Sequence, residues 1–288
     1  MSKIEDKNQW HMGFYGAMEL EFRLEKELLE FNREFQLSKK PLEMDMLIIK
    51  KRTNVQLINE IGKIFRKHNI IEYKSPKDTL GVDQFFKGLS YACLYKSQGK
   101  TTDEIKANEI TLTFIRDIFP RKLMKWLGES GYIVECNIPG IYIISGNIPF
   151  LIQIVVSREL DNKNHLSLRL LSKQLDIESA KNFIEKATSY KNQGDRENVE
   201  AVLKISVNAN KILYNKILED EDMGDVLLDL MKDKIDAKVS AGRAEGKVEG
   251  KLESIRALMV NLNYTAEQAM ESIGIPKSEY NKYIKELK

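Results

Sequence analysis

Cysteine is scarce in this chain: only Cys93 and Cys136 occur, far apart and outside any Cys-x-x-Cys or Cys/His cluster. That pattern argues against a disulfide framework and against a zinc site, and it suits a reducing compartment. An excess of one charge is missing too, with 45 Lys and Arg against 43 Asp and Glu and a formal net charge of +2. No basic field covers the molecule, so contact with nucleic acid has to come from local patches. Long apolar runs are lacking: the stretch Phe150 to Val156 is much too short to cross a bilayer, and Met1 to Lys7 has no apolar core of a secretory signal. The expectation is a cytoplasmic protein without a membrane partner. There is also no Gly-rich phosphate loop, no Gly-x-Ser-x-Gly and no metal-binding His pair, which argues against an ATPase, a serine hydrolase and a zinc enzyme.

What is present is ample core material, 42% hydrophobic and 31% charged over 288 residues, enough for one sizeable domain and a smaller appendage. Apolar spacing predicts an amphipathic first helix from Phe14 to Phe31. Strand candidates follow at Glu34 to Leu37, Met44 to Ile49 and Ile70 to Tyr73. Between the last two, Val55 to Lys67 suits a helix or a packed loop. A second core helix is expected over Val82 to Tyr95, a strand over Glu109 to Ile115 and a short helix over Arg121 to Leu127. Three more strands, Tyr132 to Cys136, Ile141 to Ile144 and Phe150 to Val156, are separated by turn residues at Pro139-Gly140 and Gly146-Asn147. Helix, strands, helix, strand is an α/β or α+β order.

Beyond Glu159 the pattern is helical, with candidates at His165 to Gln174, Ile177 to Tyr190 and Glu197 to Leu218. The expected division is 1–158 for the α/β domain with its added hairpin region, 159–220 for a helical region and 221–288 for a helical tail. In that tail Gly242, Gly246 and Gly250 recur every fourth residue among alternating charges, either a solvated connector or a self-association face. Thr265-x-x-Gln268, Gly274 and Pro276 mark a terminal helical hairpin or helix-turn-helix. Its balanced charge favours packing, and with it a homo-oligomer through the C-terminal helices, over docking in a DNA groove.

Three residues stand out chemically. Asp45 lies in an otherwise apolar strand candidate, where an ionised group is costly unless something compensates it. Glu72 and Lys74 alternate onto one face of the next candidate, about 6.6 Å apart along the strand. If the two strands are neighbours, Asp45 and Glu72 converge as two hard oxygen ligands suited to Mg²⁺, with Mn²⁺ as a substitute, and Lys74 stands beside them. Such a metal polarises a phosphate and lowers the pKa of a bound water, while the ammonium positions that water or offsets transition-state charge. Glu21 falls near the middle of the first helix's apolar stripe and so needs a partner, for which a metal site or its surroundings is one choice.

Asp45, then Glu72-x-Lys74, with an acid on the preceding helix and a helix following, resembles the PD-(D/E)XK nuclease superfamily, whose restriction-endonuclease-like core is helix, three strands, helix, strand. More narrowly, Gln9-Trp10-His11, the run from Lys40 to Lys51, the run from Phe65 to Pro76 and the Gly-Arg-Ala-Glu-Gly-Lys tail resemble the Rpn family of recombination-promoting nucleases, also described as transposases. The similarity covers most of the chain. It implies metal-dependent DNA endonuclease activity linked to recombination, with Asp45, Glu72 and Lys74 matching the motif and Glu21 the helix acid. Met44 stands where the superfamily name gives Pro.

Around this motif, Arg66, Lys77 and Gln84 are candidate phosphate contacts. His11 and His68 are weighed as general bases, with packed or surface roles preferred for both. The alternative from another class is a catalytically silent DNA-binding or assembly module that keeps the fold.

Overall fold

The computed structural model describes residues 3–33, 46–52, 55–231 and 249–287. It divides into two compact units, Met1–Leu230 and Met231–Lys288. Among the described residues no helix is long and apolar enough to cross a membrane.

The first unit is mixed α/β, built on a seven-stranded, mostly antiparallel sheet. Its strands are β1 (Leu29–Arg33), β2 (Met46–Lys51), β3 (His68–Lys74), β4 (Ile110–Arg116), β5 (Ile133–Ile138), β6 (Ile141–Ser145) and β7 (Leu151–Val156), in the order β1-β2-β3-β4-β7-β6-β5. The pairs β3/β4 and β4/β7 are parallel and the rest antiparallel. Parallel strands are buried on both faces and read as near-continuous apolar runs. In β3 and β4 every residue but the last is buried. A parallel pair also needs a crossover, and helix α2 (Val82–Lys96) supplies it between β3 and β4.

One face of the sheet packs Ile70, Leu112, Phe114 and Ile154 against α2 and the short helix α3 (Arg121–Glu129). The other carries α1 (Lys3–Glu21), where Phe14 stacks on Tyr73 with ring centroids 4.4 Å apart. α1 is in turn covered by α4 (Leu166–Arg169) and α6 (Gln193–Ala209). The remaining helices of this unit are α5 (Ile177–Thr188), α7 (Lys211–Leu218) and α8 (Glu221–Leu230).

Two expectations differ from this picture. The first helix does not run to Phe31: it ends at Glu21, a 3₁₀ turn occupies Arg23–Leu28 and β1 begins at Leu29. Leu24, within the stretch expected to be helical, is 85% exposed. The chain departs from the helix because the Glu25 carboxylate accepts the backbone N–H groups of Ile58 and Asn59 at 2.6 and 3.2 Å, and because Leu29 to Arg33 pair with β2. The segment from Glu197 to Leu218 is two helices rather than one. It breaks at Asn210, whose side-chain amide donates to the carbonyls of Ser172 and Ser206 at 2.7 and 3.1 Å. The strand candidate at Glu34 to Leu37 lies outside the described residues.

The second unit contains a helix over 249–262 (α9), α10 (Ala266–Ser272) and α11 (Tyr280–Leu287) around Leu252, Ile255, Ala269, Met270, Ile275 and Tyr283. The Thr265/Gln268 capping box forms in both directions, at 3.2 and 2.9 Å. Gly242 and Gly246 lie outside the described residues.

Gly88 sets how closely α2 approaches the sheet, since a Cβ there would stand 2.5 Å from the Phe114 ring. Phe114 is fully buried against Phe85 and has no room to swing aside. Gly88→Ala gains at most about 1 kcal/mol of helix propensity against about 1–3 kcal/mol of overpacking. The variant is expected to lose stability, read as a lower urea midpoint with an unchanged m-value.

Candidate functional site

β3 ends in Ile71-Glu72-Tyr73-Lys74, and alternation sends Glu72 and Lys74 to the α2 face while Tyr73 points at α1. Glu72 is 4% exposed, and Lys74 Nζ donates to its Oε1 at 2.6 Å. Directly after Lys74 the chain turns at Ser75–Asp78. The Asp78 carboxylate accepts both the backbone N–H and the hydroxyl of Ser75, at 3.2 and 2.8 Å, which holds the turn shut. α2 then starts at Val82, and Gln84 Oε1 accepts the Gly81 N–H at 3.0 Å as its cap.

Together these elements enclose a cavity of about 210 Å³. Glu72 and Lys74 line it from β3, Gln84, Lys87 and Tyr91 from α2, and His11 from α1, with Asp78 and Thr79 at the turn. A buried acid, an ammonium and an amide thus converge at the carboxyl end of a parallel strand, where open α/β sheets bind their ligands.

Asp45 lies outside the described residues. Its chain neighbour Met46 is described, and its Cα pairs with that of Glu72 across β2 and β3. Of the three proposed phosphate contacts, only Gln84 lines the cavity. Lys77 is exposed on the turn beyond it. Arg66 precedes the opposite end of β3, and its guanidinium donates to the carbonyls of Ile64 and Phe65.

His68 also marks that far end, about 13 Å along the strand from Glu72. Its Nδ1 is 2.8 Å from Tyr95 Oη. Burial holds the His68 imidazole below its ordinary pKa, helped by the charge of Lys67. The Tyr95 phenol is itself pushed up to about 12, chiefly by burial. His11 is the histidine brought to the cavity. Lys87 and Tyr91 were not singled out in the sequence, although the 84, 87, 91 spacing is that of one helix face.

Glu21 is not brought to this cavity. It lies ten residues beyond His11 on α1, about 15 Å along the axis. Its fully buried carboxylate meets His165 Nδ1 at 2.7 Å and accepts the Ser167 hydroxyl at 2.6 Å. His165 Nε2 is in turn 3.1 Å from Glu60 Oε2. The buried acid therefore found its partner in a distant histidine rather than in the Glu72 site. This chain of groups floors a second cavity of about 410 Å³ between α1, the segment before β3 and the loop into α4.

Carboxylates only accept hydrogen bonds, so an imidazole held between two of them donates from both nitrogens, which only the imidazolium does. Burial alone would depress the His165 pKa, but the bonds and charges of Glu21 and Glu60 outweigh it and raise the value.

Among the described residues, no group of three or more His, Cys, Asp or Glu side chains is placed to hold a metal. Glu72 and Asp78 are the described acids that line the first cavity, and Glu72 is the one paired with Lys74. In comparisons with known proteins, no family model, no curated protein and no solved structure matches this chain.

The raised His165 pKa has a definite sign for stability. The contribution is complete below the unfolded value of about 6.5 and fades as pH rises through the higher folded value. Urea midpoints measured between pH 5 and pH 9 are expected to decline across this window in the wild type. The decline should be smaller in His165→Asn, and parallel curves for the two proteins would contradict the imidazolium.

Proposed function

We propose that this chain is a Mg²⁺-dependent DNA endonuclease with a PD-(D/E)XK-type, restriction-endonuclease-like core, of the kind that the Rpn-like motifs imply for recombination or mobile-element movement. The observation that carries the reading is the Lys74 ammonium 2.6 Å from the buried Glu72 carboxylate in one cavity. Further support comes from the order α1, β1, β2, β3, α2, β4, with β4 parallel to β3.

The donor chemistry fits the ion. Mg²⁺ takes one or two carboxylates and keeps several waters. Glu72 offers a hard oxygen in a cavity of about 210 Å³, room for an ion with several waters, and Asp45 is the candidate second ligand. When bound, Mg²⁺ polarises a phosphoryl oxygen and lowers the pKa of a coordinated water. Lys74 does the rest of the electrostatic work: it holds the attacking water in line and offsets charge that gathers on the phosphate oxygens. The water oxygen bonds to phosphorus and one P–O ester bond breaks. One water proton departs to solvent, and the leaving alkoxide is protonated in turn.

Supercoiled plasmid incubated with the full chain is expected to be nicked or linearised with Mg²⁺ and left intact with chelator. Lys74→Ala is expected to slow cutting on the order of 10²- to 10³-fold, the usual effect of removing one preorganised charge stabiliser. Glu72→Gln and Asp45→Ala should abolish the metal response. Cleavage unchanged in these variants removes the assignment, and salt-sensitive DNA binding without any cutting would instead indicate the silent module.

A further inference from the structure

We propose that Arg116, at the carboxyl end of β4, is a backbone-phosphate contact that receives the DNA beside Lys74. This inference rests on the nuclease reading and adds a residue of the neighbouring strand to the hold on the substrate.

Alternation carries Ile110, Leu112 and Phe114 of β4 into the core on the α2 side, so Arg116, two residues further, leaves the sheet on that same side. The parallel register makes Arg116 the partner of Lys74, just as Phe114 is the partner of Glu72. Neighbouring strands run about 4.8 Å apart, so two cations start side by side at the end of the sheet that carries Glu72. Like charges at paired positions are destabilising, and Lys74 is the one that Glu72 offsets. On the other flank the register partner of Arg116 is Val156, part of the apolar core.

Among the described residues the Arg116 guanidinium makes no hydrogen bond and no ion pair, and its Nε is buried without a partner. The adjacent acid, Asp117, is committed elsewhere: its Oδ2 accepts from Arg158 Nη2 and from the Ser172 hydroxyl, at 3.1 and 3.2 Å. Burial pulls the Arg116 pKa downward, against the charge of Asp117. A guanidinium stays charged in proteins all the same. A half-buried cation of this kind is costly, and buried donors are nearly always paired. The acceptor that this group lacks therefore comes from outside the chain.

A phosphodiester supplies it. The planar guanidinium fork matches the two non-bridging oxygens of a phosphate, and the Lys74 ammonium adds a point charge alongside. Contacts of this kind read no bases, so they add affinity that is uniform across sequences and sensitive to salt.

The test is fluorescence anisotropy of the full chain with labelled duplex DNA in chelator, where nothing is cut, across a salt series. In Arg116→Met, which keeps an unbranched apolar stem, the slope of log affinity against log salt is expected to become shallower by about 1, equally for unrelated sequences. Arg116→Lys, which keeps the charge, should hold the wild-type slope. The urea midpoint of Arg116→Met without DNA is expected at or above that of the wild type; a lower midpoint would reveal a partner for the guanidinium inside the fold and overturn the contact. An Arg116→Met slope equal to wild type, in a protein that still cuts plasmid, also overturns it and leaves the nuclease reading standing. A shallower slope without Mg²⁺-dependent cutting by the wild type keeps the contact and removes the nuclease reading. A wild type that neither binds DNA in a salt-sensitive way nor cuts it removes both.

Discussion

The desolvation of Glu72 is the constraint around which the first unit is arranged. A carboxylate on a strand buried from both faces costs several kcal/mol unless a counter-charge and hydrogen bonds compensate it. Lys74 provides the counter-charge from two residues further along the same strand, so the pair needs no other element to bring it together. What the rest of the fold supplies is a location. β2 and β4 clamp β3 on either side, the Ser75–Asp78 turn directs the chain away, and α2 returns its first turns over the same spot. The cavity thus takes an acid and its ammonium from the sheet and Gln84, Lys87 and Tyr91 from the helix opposite.

α1 serves two sites at once. At its middle His11 borders the Glu72 cavity, and at its last residue Glu21 anchors the imidazolium of His165. The helix is packed from both sides, by Tyr73 of the sheet and by α6. At Gly13 the α6 contact is close enough that a Cβ would stand 2.5 Å from Ile205. The two cavities therefore share α1 as a support, although no residue lines both.

Much of the core was legible in the sequence wherever the signal was local. Charges breaking an apolar run marked Glu72 and Lys74, and alternation alone put them on one face. The α2 helix was legible from Gly81 and its apolar stripe, and the capping box at Thr265 from its spacing. The failures share a cause, which is that the deciding partner is distant in sequence. Glu21 was correctly read as buried, but His165 lies 144 residues away and no local pattern couples them. The early end of α1 depends on Glu25 meeting Ile58 and Asn59, and the break at Asn210 depends on the Ser172 carbonyl.

The middle of the sheet carries a set of polar rungs whose effect reaches the site. Asn69 and Thr111 are register partners on β3 and β4, and the Thr111 hydroxyl donates to the Asn69 side-chain oxygen at 2.7 Å. One strand further, Gln153 Nε2 donates to Thr113 Oγ1 at 3.0 Å. All four side chains are fully buried. Sliding β3 by one residue would strand these groups without partners in a dry interior and would also turn Glu72 toward the opposite side of the sheet. The rungs therefore act as a vernier: about 10 Å from the acid, they set the notch at which the strand locks, and through it the side on which any chemistry can occur.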